Sequence, residues 1–155
     1  MMRRHDRAIE SFDEICALIE KCDTLRVAFS DDSAPYIVPL SFGYETSDGV
    51  ITFYVHGAKT GRRHELAAKN AKVCVETDVC EGFVELEGGA QTADYKSFIG
   101  WGDISPVTGD EAVKGLNLLC RHCGFEGMTC TDAVIRNTCV EKIVVDTFTA
   151  KQRFK

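Results

Sequence analysis

Three cations, Lys59, Arg62 and Arg63, crowd one short turn around Gly61. These residue types suit an anion, because a guanidinium can grip two phosphate oxygens with parallel hydrogen bonds. The turn leads into Arg62–Lys69, which reads as a short helix. A helix N-terminus already offers unpaired N–H groups and a partial positive charge. Arginines placed there for structure alone would oppose the macrodipole, by roughly 0.3–1 kcal/mol each when exposed. A bound dianion reverses that sign. A solvated basic turn is the alternative that the local sequence leaves open. The GxxxxGK[ST] pattern of a Walker A loop is absent. Upstream, His56 precedes Gly57 at the end of the β-rich run Val50–Val55. Its imidazole could deliver a proton near neutral pH; a purely structural histidine is the alternative. His64 reads as solvent-facing, and His5 and His122 stand in no distinctive context.

The eight cysteines are Cys16, Cys22, Cys74, Cys80, Cys120, Cys123, Cys130 and Cys139. Cys120 and Cys123 form a single C-x-x-C. A structural zinc site wants two such pairs, or a Cys/His pair at matching spacing. We therefore expect small buried hydrophobes and ordinary thiols, and no metal site. The net charge of -6 argues against nucleic acid or an anionic membrane as the main partner. No apolar run approaches the ~18 residues of a membrane span. The charged start, Met1 to Arg7, is followed by no apolar signal region, which predicts a cytoplasmic protein.

The elements that must position these residues follow from pattern. A chain of 155 residues is expected to be one domain, residues 1–155. Ser11 and Glu14 form a capping box for a helix over about residues 12–22, with Phe12, Ile15, Cys16, Ile19 and Cys22 on one face. Leu25, Val27 and Phe29 alternate as a half-buried strand. Residues 35–44 read as one strand, irregular or at an edge because of Pro39. Asp48-Gly49 signals a turn. Strands follow at Val50–His56 and Val73–Val79. Cys80–Thr92, acidic and glycine-rich, reads as a loop of low order. Ala93–Ile104 is a long strand ended by Pro106, with Gly100 and Gly102 marking a bend or a close approach. Thr108 and Glu111 suggest a second capping box for a helix over residues 109–123, stopped at Gly124. A helical turn is expected near 131–137, and Val140–Thr149 is expected to close a barrel. The sum is a mainly β fold with α additions: an antiparallel barrel of five to six strands with two to three peripheral helices.

The order strand, His56-Gly57-Ala58-Lys59-Thr60-Gly61-Arg62-Arg63, helix, Asn70 resembles the phosphate-binding segment of the FMN-binding split-barrel proteins, the superfamily of pyridoxamine 5′-phosphate oxidase. Arg3 to Arg7, Pro35 to Leu40, Tyr54 to Lys59, Tyr95 to Gly100 and Phe148 to Lys151 are similar to its nitroimidazole-resistance branch. This resemblance implies FMN as cofactor, with Ala58, Lys59, Gly61, Arg62 and Arg63 around its phosphate. It implies that Val38, Pro39, Leu40 and Ser41 run along the isoalloxazine ring. It implies a homodimer in which Ser97, Gly100 and Trp101 of the second subunit cover the flavin. It places His56 at the active site of an oxidoreductase acting on a small electrophile such as a nitroaromatic. A non-enzymatic flavin-binding module is the alternative. Pyridoxamine 5′-phosphate oxidation is disfavoured, because Thr149 to Arg153 departs from the oxidase's C-terminal signature.

Overall fold

The computed structural model describes residues 3–127 and 132–154. Seven antiparallel strands form one sheet in the order β2-β1-β5-β6-β7-β4-β3. They are β1 Leu25–Phe29, β2 Tyr36–Leu40, β3 Gly43–Ser47, β4 Val50–Gly57, β5 Lys72–Glu85, β6 Gln91–Val107 and β7 Cys139–Gln152. Among the described residues no ladder joins β2 to β3, so the barrel is split between them. The fold is mainly β with α additions. Expectation and structure differ here on strand count and on β7, which lies inside the sheet between β6 and β4 instead of closing a barrel.

The sheet's inner face carries the core. Leu25, Val27, Phe29, Phe53, Val55, Val75, Phe98, Ile143 and Val145 are buried together. Helix α1, Phe12–Glu20, adds Ile15, Leu18 and Ile19 to this cluster. Its N-cap is the expected one: Ser11 Oγ accepts from the Glu14 amide at 3.4 Å. Helix α2, Arg62–Lys69, adds Leu66. Helix α3, Gly109–His122, packs on β3 and β4 from outside. Two glycines make that approach possible. A Cβ on Gly43 would stand 2.3 Å from the Leu119 amide nitrogen, and one on Gly115 would stand 2.5 Å from the Tyr54 ring. Thr108 makes no side-chain cap at α3, contrary to the expected capping box. The far end does close as expected. Gly124, at φ 83, donates to the Arg121 carbonyl, and Phe125 donates to that of Cys120. This is the double bond of a Schellman stop. Helix α4, Asp132–Asn137, is the helical turn expected near 131–137, of which residue 131 lies outside the described residues.

Three further expectations need correction. The segment from Pro35 to Tyr44 is two strands, not one: β2 at one edge of the sheet and β3 at the other. The chain crosses the split at Ser41-Phe42, and its continuous apolar run hid the crossing. The segment Cys80–Thr92 is a hairpin arm rather than a loop: β5 and β6 stay paired out to Glu85 and Gln91. Both faces of that arm meet solvent, with Phe83 83% exposed, so no apolar alternation marked it. Pro106 does not end β6, which runs to Val107. Past Asp103 the strand has lost β5 and keeps only β7, leaving an open side where a proline costs no ladder bond.

Candidate functional site

At the end of β4 the register sets Val55 beside Glu141, His56 beside Val140 and Gly57 beside Cys139. Strand alternation then places Glu141 on the inner face with Ile143 and Val145. Glu141 is a carboxylate only 2% exposed in an otherwise apolar row. Its partner is Arg63 of α2, whose Nη1 donates to Glu141 Oε2, and the guanidinium side chain is itself only 11% exposed. Arg63 Nη2 is enclosed and has no hydrogen-bond partner. It lies against Gly57, where a Cβ would come within 2.6 Å. Gly57 thus makes room for the guanidinium.

The neighbouring arginine points elsewhere. Arg62 pairs with Asp31 in the β1–β2 turn, and Lys69 of the same helix reaches Asp32 at 2.7 Å. The Arg62 hydrogen bond, then the Asp32 amide, hold the Asp31 carboxyl below its usual range. The two consecutive arginines therefore tie α2 to two parts of the sheet, Arg62 to the β1–β2 turn and Arg63 to β7. The expected common cradle of three cations is not what the chain forms by itself. Lys59 donates to the Arg136 carbonyl, and Ala58, Lys59 and Gly61 are exposed. Gly61 is the N-cap of α2 at φ 108, a backbone geometry suited to glycine, and no side chain caps the helix there.

His56 is half-buried, and its Nδ1 is enclosed without a partner. Alternation puts it on the outer face of β4, with Tyr54 and Val140, rather than with Glu141. Burial, then the Arg63 charge, push its pKa below the ordinary histidine value. At neutral pH it is therefore an uncharged imidazole that can give or take one hydrogen bond. His64 was expected to face solvent but is half-buried, with an enclosed and unpartnered Nδ1. One ligand atom each of His64, Cys139 and Glu141 lie within 4.8 Å of one another. His122 does have a context: its Nε2 lies 2.8 Å from the Cys22 carbonyl, and its ring is 4.3 Å from that of Phe42.

The remaining sequence candidates sit apart from this cluster. Val38 and Leu40 pack on the core, while Pro39 and Ser41 are exposed. Pro106 of β6 pairs with Glu141. Trp101 and Ser97 lie back along the same strand, at about 3.3 Å per residue roughly 15 and 30 Å away. Gly100 is buried under Phe98 and Val145. Trp101 is 46% exposed beside a groove of about 490 Å³ lined by Ala28, Ser30, Cys74 and Thr147. One chain thus unites His56, Gly57, Arg63 and the start of α2, but not Ser97 or Trp101. Sequence reasoning missed Glu141, Asp31 and Cys139. Glu141 did leave a signal, as the one carboxylate in register with Ile143 and Val145.

No curated protein sequence matches the chain. Solved structures do. A candidate 5-nitroimidazole antibiotic resistance protein from Bacteroides thetaiotaomicron superposes with a TM-score of 0.81 at 26% identity, covering 93% of this chain and 85% of that one. An FAD- and heme-binding protein from Mycobacterium smegmatis gives 0.78 at 16% identity, over 96% and 74% of the two chains. A flavocytochrome from Azotobacter vinelandii gives 0.77 at 18%, over 100% and 73%. The last two identities speak to the fold alone, which is the split barrel these flavoproteins share. The sequence pattern of the family described as pyridoxamine 5′-phosphate oxidase matches residues 11–152, and the chain belongs to that family.

Proposed function

We propose that this protein binds FMN, with the phosphate at Arg63 and the first turn of α2, and passes electrons to a small electrophile of the nitroaromatic class. One observation carries the reading: Arg63 is held nearly buried by Glu141, yet its Nη2 has no partner. An oriented donor lacking an acceptor, beside an α2 N-terminus without a side-chain cap, is what a phosphate would complete. Similarity to a nitroimidazole-resistance candidate and to flavin-binding structures supports the choice of ligand and acceptor. Flavin supplies the redox chemistry when bound. The protein's share is to grip the phosphate through Arg63, to add Arg62 once it lets go of Asp31, and to present the neutral imidazole of His56 as a hydrogen-bond donor.

Ser97 and Trp101 lie far from Arg63, so if they reach the flavin as the resemblance implies, a second copy of the chain must bring them, in a homodimer. Light scattering on the eluting protein should give twice the chain mass; a monomer that still binds FMN would remove this part. Turnover tests the oxidoreductase reading. His56→Ala should keep flavin and lose most reduction of a nitroaromatic by the reduced protein, and equal rates in both proteins would remove His56 from the mechanism. The depressed His56 pKa favours one second reading, a flavin-binding module without turnover, since a neutral imidazole is a poorer acid than an imidazolium. Wild-type protein that holds flavin but reduces no acceptor would establish it.

A further inference from the structure

We propose that His64, Cys139 and Glu141 form a binding site for a zinc-class divalent metal ion, which adjoins the proposed phosphate site through Arg63 but does not require flavin. The three residues come from the start of α2 and the start of β7, and their ligand atoms lie within 4.8 Å of one another. A tetrahedral ion with arms of about 2.0–2.3 Å sets its ligands roughly 3.5 Å apart, so small side-chain rotations suffice.

Each member is suited to the task. His64 carries an enclosed Nδ1 with no hydrogen-bond partner. Cys139 is a free, half-buried thiol. Glu141 uses Oε2 for Arg63, which leaves Oε1 as a ligand and fixes the carboxylate's orientation. Outer hydrogen bonds of this kind are common behind metal-bound carboxylates. The Arg63 and Lys59 charges oppose a cation, and a Cys139 thiolate with the Glu141 carboxylate balances them. A mixed N, S and O donor set suits zinc or cobalt, whereas magnesium and calcium prefer oxygen alone.

Three protein ligands leave a fourth position open. A cavity of about 410 Å³ adjoins it, lined by His64, Cys139, Lys59, Ile135 and the start of α3 at Gly109. Lys59 and that helix N-terminus favour water, hydroxide or a small anion as the fourth ligand.

Cobalt(II) titration of the 155-residue protein, under reducing and anaerobic conditions, tests the site. The expected result is a thiolate-to-cobalt charge-transfer band that saturates at a stoichiometric amount. Cys139→Ser should abolish the band, and Cys120→Ser/Cys123→Ser should keep it. His64→Ala should weaken binding by more than about 10-fold, the lower end of what even outer-shell changes cost. Absence of the band, its survival in Cys139→Ser, or its loss in the Cys120/Cys123 variant would overturn the proposal. X-ray absorption of the zinc-loaded wild type gives a check that needs no variant: one sulfur ligand is expected, and two or more would overturn the assignment.

Discussion

Arg63 is held by a buried carboxylate, Glu141, so its removal bears on stability first. Arg63→Ala would leave Glu141 charged, buried and unpaired. Breaking such a pair from one side costs about 3–5 kcal/mol. The double variant Arg63→Gln/Glu141→Gln removes both charges and should cost less than half of that. Arg62 is 54% exposed, and Arg62→Ala should cost far less than Arg63→Ala, since an exposed pair is screened by solvent. Urea unfolding of the three variants checks the ranking; equal losses for Arg62→Ala and Arg63→Ala would contradict it. His56 makes a second prediction. Its folded pKa lies below the unfolded value of about 6.5, so the folded state binds fewer protons in the window beneath that value. Stability then rises with pH through the window and is lost as the pH falls below about 6.5. His56→Gln should flatten that slope, and an unchanged slope in unfolding free energy against pH would contradict the assignment. The basic turn and the position of His56 at the end of β4 were legible from type and spacing. Their partners were not, because Glu141 lies 78 positions from Arg63 and only β4–β7 pairing brings them together.

At the scale of elements, α3 is the most exacting fit, since it meets β3 across the bare backbone of Gly43. A methyl at Gly43 would strike the Leu118–Leu119 backbone, which no rotamer change can relieve. Gly43→Ala should therefore cost at least the roughly 1–3 kcal/mol of ordinary overpacking. A thermal midpoint equal to wild type would show that α3 can shift freely. The caps differ in the same testable way. Ser11→Ala should cost about 1 kcal/mol, because its hydroxyl caps α1. Thr108→Ala should cost much less, because that side chain caps nothing. Similar losses at both positions would contradict this. Helices α1 and α3 were legible from apolar period, and the start of α1 from its cap. The Cys80–Thr92 arm was not, since a strand solvated on both faces carries no alternation. The β2–β3 crossing was not either, since Phe42 and Gly43 are as buried as a strand interior.

For the whole molecule, the split between β2 and β3 is the organising feature, and α2 is tied by Arg62 to the β1–β2 turn and by Arg63 to the interior strand β7. Among the described residues no helix is long and apolar enough to cross a membrane. The mainly β class was legible from the alternating runs and turn signals, but the strand number and order were not, because β7 inserts between β6 and β4 only through long-range pairing. Titration with FMN and with riboflavin, followed by visible absorption, tests whether Arg63 reads a flavin phosphate. A charged hydrogen bond of about 1.5–3 kcal/mol predicts that wild type prefers FMN by roughly 10- to 100-fold. The folded Arg63→Gln/Glu141→Gln variant should lose that preference. Failure of the wild type to take up FMN, or an unchanged preference in the double variant, would contradict the account.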